Sequence, residues 1–175
     1  MDLPHQIDLL LDTGPREGYR TTNRRVAVRA LAESNGLYLM VRSPERDTFE
    51  FPGGGVEEGE DLEQAVVREV KEETGYEVVS VGACLIKQFE RYPDFFEEGS
   101  LFEMTNHFFE CEVAPQRGEP ELSINEQRDG IAPVWISLDR ALEHNQRYAQ
   151  AKGDKVEPWI LRAIAVMTHL KSSRG

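Results

Sequence analysis

The side chains best suited to chemistry in this 175-residue chain are three glutamates, Glu69, Glu72 and Glu73, with Arg68 beside them in VVREVKEETGY (66–76). A glycine-rich turn, Gly53, Gly54 and Gly55, precedes them in FPGGGVEEGED (51–61). Glycine permits positive φ and lets backbone come close to a ligand. If a helix follows the turn, at about 100° per residue the three carboxylates fall within an arc of roughly 100°. Leu62, Ala65 and Val66 lie at nearly the same azimuths one and two turns earlier, so the acids extend an apolar, inward side.

Three like charges repel, and ionised groups are costly to bury unpaired. A cation must compensate, either Arg68 or a metal ion. The ligands at hand are oxygens, with no Cys or His at metal-ligand spacing, which favours Mg²⁺ or Mn²⁺. Mg²⁺ usually keeps waters and shares its shell with substrate phosphates. The chemistry implied is divalent-metal work on a phosphate-containing substrate. A solvated helix face is also rich in glutamate, with Arg68 and Lys71 as ion-pair partners, but it would not share its side with the apolar residues.

The helix has its own punctuation. Asp61 caps the first turn and Gln64 reaches back in a capping box; Gly75 suits the left-handed residue past its end. The length suits one domain with a sizeable core. Residues 1–20 read as a separate N-terminal extension, with IDLLLD (7–12) a short strand; whether it is an edge strand, a dimer arm or mobile is open. Residues 21–175 read as one α+β domain whose core begins at Arg24. VAVRAL (26–31), the Asn35-Gly36 turn and LYLMVR (37–42) read as strand, tight hairpin turn and return strand. Two long strands follow the helix, 77–92, bulged near Gly82, and 101–113, paired as a hairpin. Residues 114–130 read as polar loop, 133–138 as a strand, 139–147 as a short helix and 157–170 as an amphipathic helix. Trp135 and Trp159 read as core, and His107 as structure.

Net charge is −12, which disfavours a nucleic-acid backbone as partner. Cys84 and Cys111 sit in strand-like apolar contexts and read as buried thiols. No apolar run approaches membrane-spanning length and no secretory signal opens the chain, so a cytoplasmic protein is expected. By strand placement Arg25, Arg42 and Lys87 are candidates to hold phosphates. Tyr92, Phe95, Phe96 and Phe102 flank the turn between the long strands and could stack on a base or simply pack.

Gly54, Glu60, Arg68, Glu69, Val70, Glu72, Glu73, Gly75 and Tyr76 match G-x5-E-x7-R-E-U-x-E-E-x-G-U, where U is bulky and apolar. The run resembles the signature of the Nudix hydrolase superfamily, with Tyr76 aromatic where the family usually has an aliphatic residue. The resemblance, over residues 24–170, implies an α/β/α sandwich with a mixed sheet. It also implies hydrolysis of a nucleoside diphosphate linked to another group, by a water activated on Mg²⁺ or Mn²⁺. Carried over by position, Glu72 and Glu73 are metal ligands, and Glu69 is a third ligand or the general base. Arg68 orients an acid, Glu60 supports the loop, and a carbonyl of Gly53 or Gly54 is a further ligand. A further acid before the penultimate strand often completes such sites; Glu126 and Asp129 are candidates. The alternative is a catalytically silent sensor or interaction module on the same fold, which would be expected to lack motif acids. A Ca²⁺-binding protein is disfavoured, because no EF-hand loop is present. The substrate is a small nucleotide diphosphate derivative, and homodimerisation is left open.

Overall fold

The computed structural model of the chain describes residues 5–10 and 18–173. In order, the elements are β1 (His5–Leu10), β2 (Thr21–Leu31), β3 (Glu33–Ser34), β4 (Leu37–Ser43), β5 (Thr48–Glu50), α1 (Leu62–Thr74), β6 (Tyr76–Pro93), β7 (Ser100–Arg117), α2 (Ile124–Asp129), β8 (Ala132–Ile136), α3 (Leu138–Lys152), a 3-10 turn (Gly153–Lys155) and α4 (Pro158–Ser172). One mixed sheet has the order β1-β6-β7-β2, with β6 and β7 antiparallel and both outer pairings parallel. A smaller antiparallel sheet is centred on β4, which pairs with β3, β5 and β8.

Alternation along the strands feeds two cores. Val28, Ala30, Leu39 and Phe109 face Ala65, Val66 and Val70 of α1. Leu31, Tyr38, Met40 and Phe108 face Leu138, Ala141, Ala163 and Met167 of α3 and α4. The layers are therefore helix, sheet and helix. Val66 and Val70 are fully buried, each worth about 1.5–3 kcal/mol, and they fix which side of α1 turns inward. Among the described residues, no helix is long and apolar enough to cross a membrane.

Several expectations change. The long strand before the hairpin begins at Thr21, because the parallel ladder with β7 runs from Thr21 opposite Ser100 to Leu31 opposite Glu110. The Asn35-Gly36 turn has both residues at positive φ, 53° and 78°, as a tight hairpin requires. Its first strand, however, is the short β3, because the chain leaves the larger sheet after Leu31. Register shifts between Val81 and Cys84 place a bulge around Gly82. The expected loop at 114–130 instead extends β7 to Arg117 and then forms α2, whose Ser123 and Glu126 make reciprocal capping bonds. The helix expected over 139–147 runs to Lys152. β1 pairs in parallel with β6 at the sheet edge; residues 11–12 of its expected strand lie outside the described residues.

Candidate active site

The glycine turn is held against β2 by a backbone ladder, to which the Arg29 side chain adds a bond. Pro52 and Gly54 carbonyls accept from the N–H groups of Ala30 and Val28 at 2.8 and 3.0 Å, and Val56 donates to Val26 at 3.0 Å. Gly53 has φ of 146°, and a Cβ there would collide with the carbonyl oxygen of Val28. A Cβ on Gly54 would stand 2.5 Å from the Glu69 carboxylate. The motif acid thus rests directly on the turn.

Helix α1 is capped as its sequence implies. Asp61 accepts from Gln64 N–H, Gln64 bonds back to Asp61 N–H, and Gly75 is left-handed with φ of 75°. Tyr76 just beyond it packs edge-on to Trp135 and accepts from the Trp135 indole at 3.0 Å, a packing role for the aromatic residue.

Arg68 gathers the acids. Its guanidinium bonds both oxygens of Glu60 at 2.8 and 2.9 Å, Glu69 at 2.8 Å, Glu72 at 3.2 Å and the Gly55 carbonyl at 3.0 Å. The fork on Glu60 holds that carboxyl below its ordinary range. Burial raises Glu69, with Arg68 opposing. Glu73 accepts from Gly53 N–H at 2.8 Å, and burial pushes its carboxyl up to about 8 against the pull of Arg29. Like charges on Glu69 and Glu126 push it the same way.

Glu69, Glu73 and the glycine turn line a cleft of about 1040 Å³. Glu126 and Asp129, both half-buried, project into it from one face of α2. Arg25 lines it beside Gly55, where a Cβ would meet the guanidinium at 2.9 Å. Part of the cleft lining is aromatic. Tyr92 stacks on Phe95 and lies against Phe102, with centroids 5.4 and 5.1 Å apart. Phe95 and Phe96 are 64% and 99% exposed on the β6–β7 turn, and Trp159 lines the same cleft.

Not every expected residue joins the site. Arg42 is turned to the β4–β5 hairpin, bonded to Asp47 at 2.7 Å, and does not line the cleft. Lys87 is exposed and also outside it, because strand alternation places it on the opposite side from Gln88 and Glu90. Glu72 stays on Arg68 and does not line the cleft. The Gly53 carbonyl accepts from Arg29 at 2.5 Å and that of Gly54 from Val28, so both expected ligand carbonyls have protein donors. Among the described residues, no three acids converge at ligand spacing; Arg68 engages Glu69 and Glu72, while Glu73 accepts from the Gly53 N–H. Trp159, expected in the core, is half-buried at the cleft. Arg29 and Arg162 also line it, and the motif reading missed both. A charge set among apolar neighbours in strand or helix period, as in VAVRAL and ILRAIAVM, was their signal.

Residues 21–159 match the family model of the NUDIX domain.

The chain belongs to the NUDIX domain family.

It is 35% identical over 100 residues to Nucleoside diphosphate-linked moiety X motif 6 of Xenopus laevis, covering 55% of this chain and 46% of the relative. Against the protein of the same name from Mus musculus it is 32% identical over 143 residues, covering 78% and 42%. The chain thus spans under half the length of these relatives. Among solved structures, the solution structure of the E. coli ORF135 protein is similar in fold, with a TM-score of 0.56 at 23% identity, covering 92% of this chain and 98% of that one. The fold is also similar to that of a NUDIX hydrolase from Nitrosomonas europaea, with a TM-score of 0.53 at 24% identity, covering 85% of this chain and 90% of that one, consistent with an α+β Nudix fold.

Proposed function

We propose that this Nudix domain is a Mg²⁺- or Mn²⁺-dependent pyrophosphohydrolase. It acts on nucleoside diphosphates linked to another moiety: a nucleoside triphosphate, an ADP-ribose-like nucleotide sugar or a dinucleoside polyphosphate. The observation that carries this reading is the placement of the motif acids. Glu69 and Glu73 lie on the inward side of α1, against the glycine turn, in a cleft that also has an aromatic lining.

The donor set fits a hard divalent ion. It is all oxygen, and burial raises Glu69 and Glu73, a tension that positive charge relieves. Glu73 and Glu72, the latter turned from Arg68, would hold the ion, with Glu126 or Asp129 adding an acid from α2. When bound, it neutralises phosphate charge and lowers the pKa of a coordinated water. The chain's own groups do the rest. Arg25 takes a phosphate beside Gly55. Phe95, Phe96 and Tyr92 offer a stacking face for a base. Glu69, made more basic by burial, accepts the proton of the attacking water, and Arg68 holds Glu69 in line. The names of the two relatives, which specify a nucleoside diphosphate-linked moiety, support this substrate class.

The test is turnover on a nucleotide panel with Mg²⁺ and with chelator, with product masses showing which bond breaks. Glu72→Gln and Glu73→Gln should each cut turnover by about two orders of magnitude or more with the fold retained. Near-normal turnover in either would overturn the role assignment. Tight nucleotide binding without turnover in the parent protein would favour the silent-sensor alternative.

A further inference from the structure

Behind the motif acids the cleft wall carries charges that the hydrolytic reading leaves unused. Arg162 of α4, 5% exposed, donates to Glu90 at 2.8 Å and to Glu50 at 3.3 Å. Glu90 is fully buried, and its Oε2 has no hydrogen-bond partner among the described residues. Glu50 ends β5, three residues before Gly53. Facing them, Arg29 of β2 donates to the Gly53 carbonyl at 2.5 Å and to Asn106 Oδ1 at 3.4 Å, while Asn106 donates to Gln88 at 2.8 Å. Arg29 feels attraction from Glu50 and Glu90 and repulsion from Arg162. Two guanidiniums and three carboxylates, Glu73 among them, therefore share one region of the cleft wall, and their pairing is selective. Arg162 takes Glu50 and Glu90, and Arg29 takes the glycine turn.

We propose that Arg162 is a positioning residue: by occupying Glu50 and Glu90 from α4, it leaves Arg29 to fix the Gly53 carbonyl and so shapes the glycine turn. Without Arg162 a buried acid loses its partner, which is costly, and Arg29 is the cation in reach. Drawn toward Glu90, Arg29 releases Gly53, and the turn that seats Glu69 and Glu73 loosens. This rests on the hydrolytic reading for its catalytic consequence, but not for its structural one.

Three variants test it: Arg162→Met, Arg162→Lys and the double variant Arg162→Met with Glu90→Gln. The first readout is amide hydrogen exchange at Val28, Gly53 and Val56 in metal-free protein. Arg162→Met should speed it about ten-fold or more. The second is the Mg²⁺ concentration for half-maximal turnover, expected to rise about 10- to 100-fold, as when support for a ligating group is lost. Arg162→Lys, which keeps the charge, should lie nearer the parent. The double variant neutralises the fully buried acid, leaving only the partly solvated Glu50 without Arg162, and should return both readouts toward the parent. A purely structural salt bridge predicts the opposite, since the double variant lacks both partners. Unchanged exchange in Arg162→Met, or a double variant no better than the single, overturns the proposal. If Arg162→Met does not fold, a folded double variant with parent-like exchange supports the proposal and an unfolded one overturns it. If the parent protein turns over no nucleotide, the hydrolytic reading fails while the exchange data still decide the role of Arg162.

Discussion

Glu73 makes a measurable claim about stability. Burial pushes its carboxyl up to about 8 from an ordinary value of 4.5. Between those limits the folded metal-free protein keeps a proton that the unfolded chain has released. Stability then falls as pH rises. The contribution is fully present below pH 4.5 and is lost as pH passes about 8. At about 1.4 kcal/mol per pH unit the ceiling is about 5 kcal/mol. The carboxyl lines an open cleft that water reaches, so about half, 2–3 kcal/mol, is expected. Glu73→Gln removes this term, although Glu69 and Glu90, raised in the same direction by burial, leave the variant some slope. Urea unfolding at pH 5 and pH 8 with chelator, for parent and Glu73→Gln, measures the difference. The parent should lose about 1.5–2 kcal/mol more than the variant over that interval, which covers only part of the titration. Saturating Mg²⁺ should shrink the gap, because it favours the ionised carboxylate. A gap under about 0.5 kcal/mol, or one of opposite sign, would refute the assignment of a buried, proton-holding Glu73.

The remaining expectations concern the turn, the aromatic wall and the end of α1. Gly54→Ala should leave the melting temperature near the parent but lower turnover about 100-fold, since the atoms nearest its Cβ are those of the Glu69 carboxylate, the end of a side chain that can yield, and the proposed base is displaced. Gly53→Ala should instead unfold or strongly destabilise the protein in a thermal melt, because its Cβ meets β2 backbone at a positive φ. Phe95→Ala should raise KM about ten-fold with kcat nearly unchanged, the loss of a stacking face that contributes about 1–3 kcal/mol; an unchanged KM would remove Phe95 from the site. Tyr76→Phe should cost about 0.5–1.5 kcal/mol in denaturant unfolding, the value of its bond to Trp135, with turnover retained.

Helix α1 was legible in the sequence because its information is local. Asp61, Gln64 and Gly75 fix its ends, and helical period alone puts Glu69 and Glu73 on the side of Ala65 and Val66. Helix α2 was equally local, since Ser123 and Glu126 stand at capping-box spacing, yet the polar composition around them suggested a loop. The substrate end resisted for a different reason. Arg42 and Lys87 sit on real strands, but which side of a strand meets the cleft depends on register with partners far along the chain. Arg29 and Arg162 required the same long-range knowledge: their charges are 133 positions apart in the numbering and meet only through β5 and β6.

Among the described residues, the tip that carries Phe95 and Phe96 shares no backbone hydrogen bonds with α1 or the glycine turn; its backbone bonds run to Gly99, Ser100 and Arg20. On the proposed reading, the acids that would act on the phosphates and the surface that would choose a leaving group therefore sit on separate pieces of scaffold. Substitutions at the tip would then retune which molecules are accepted while the acids keep their seats.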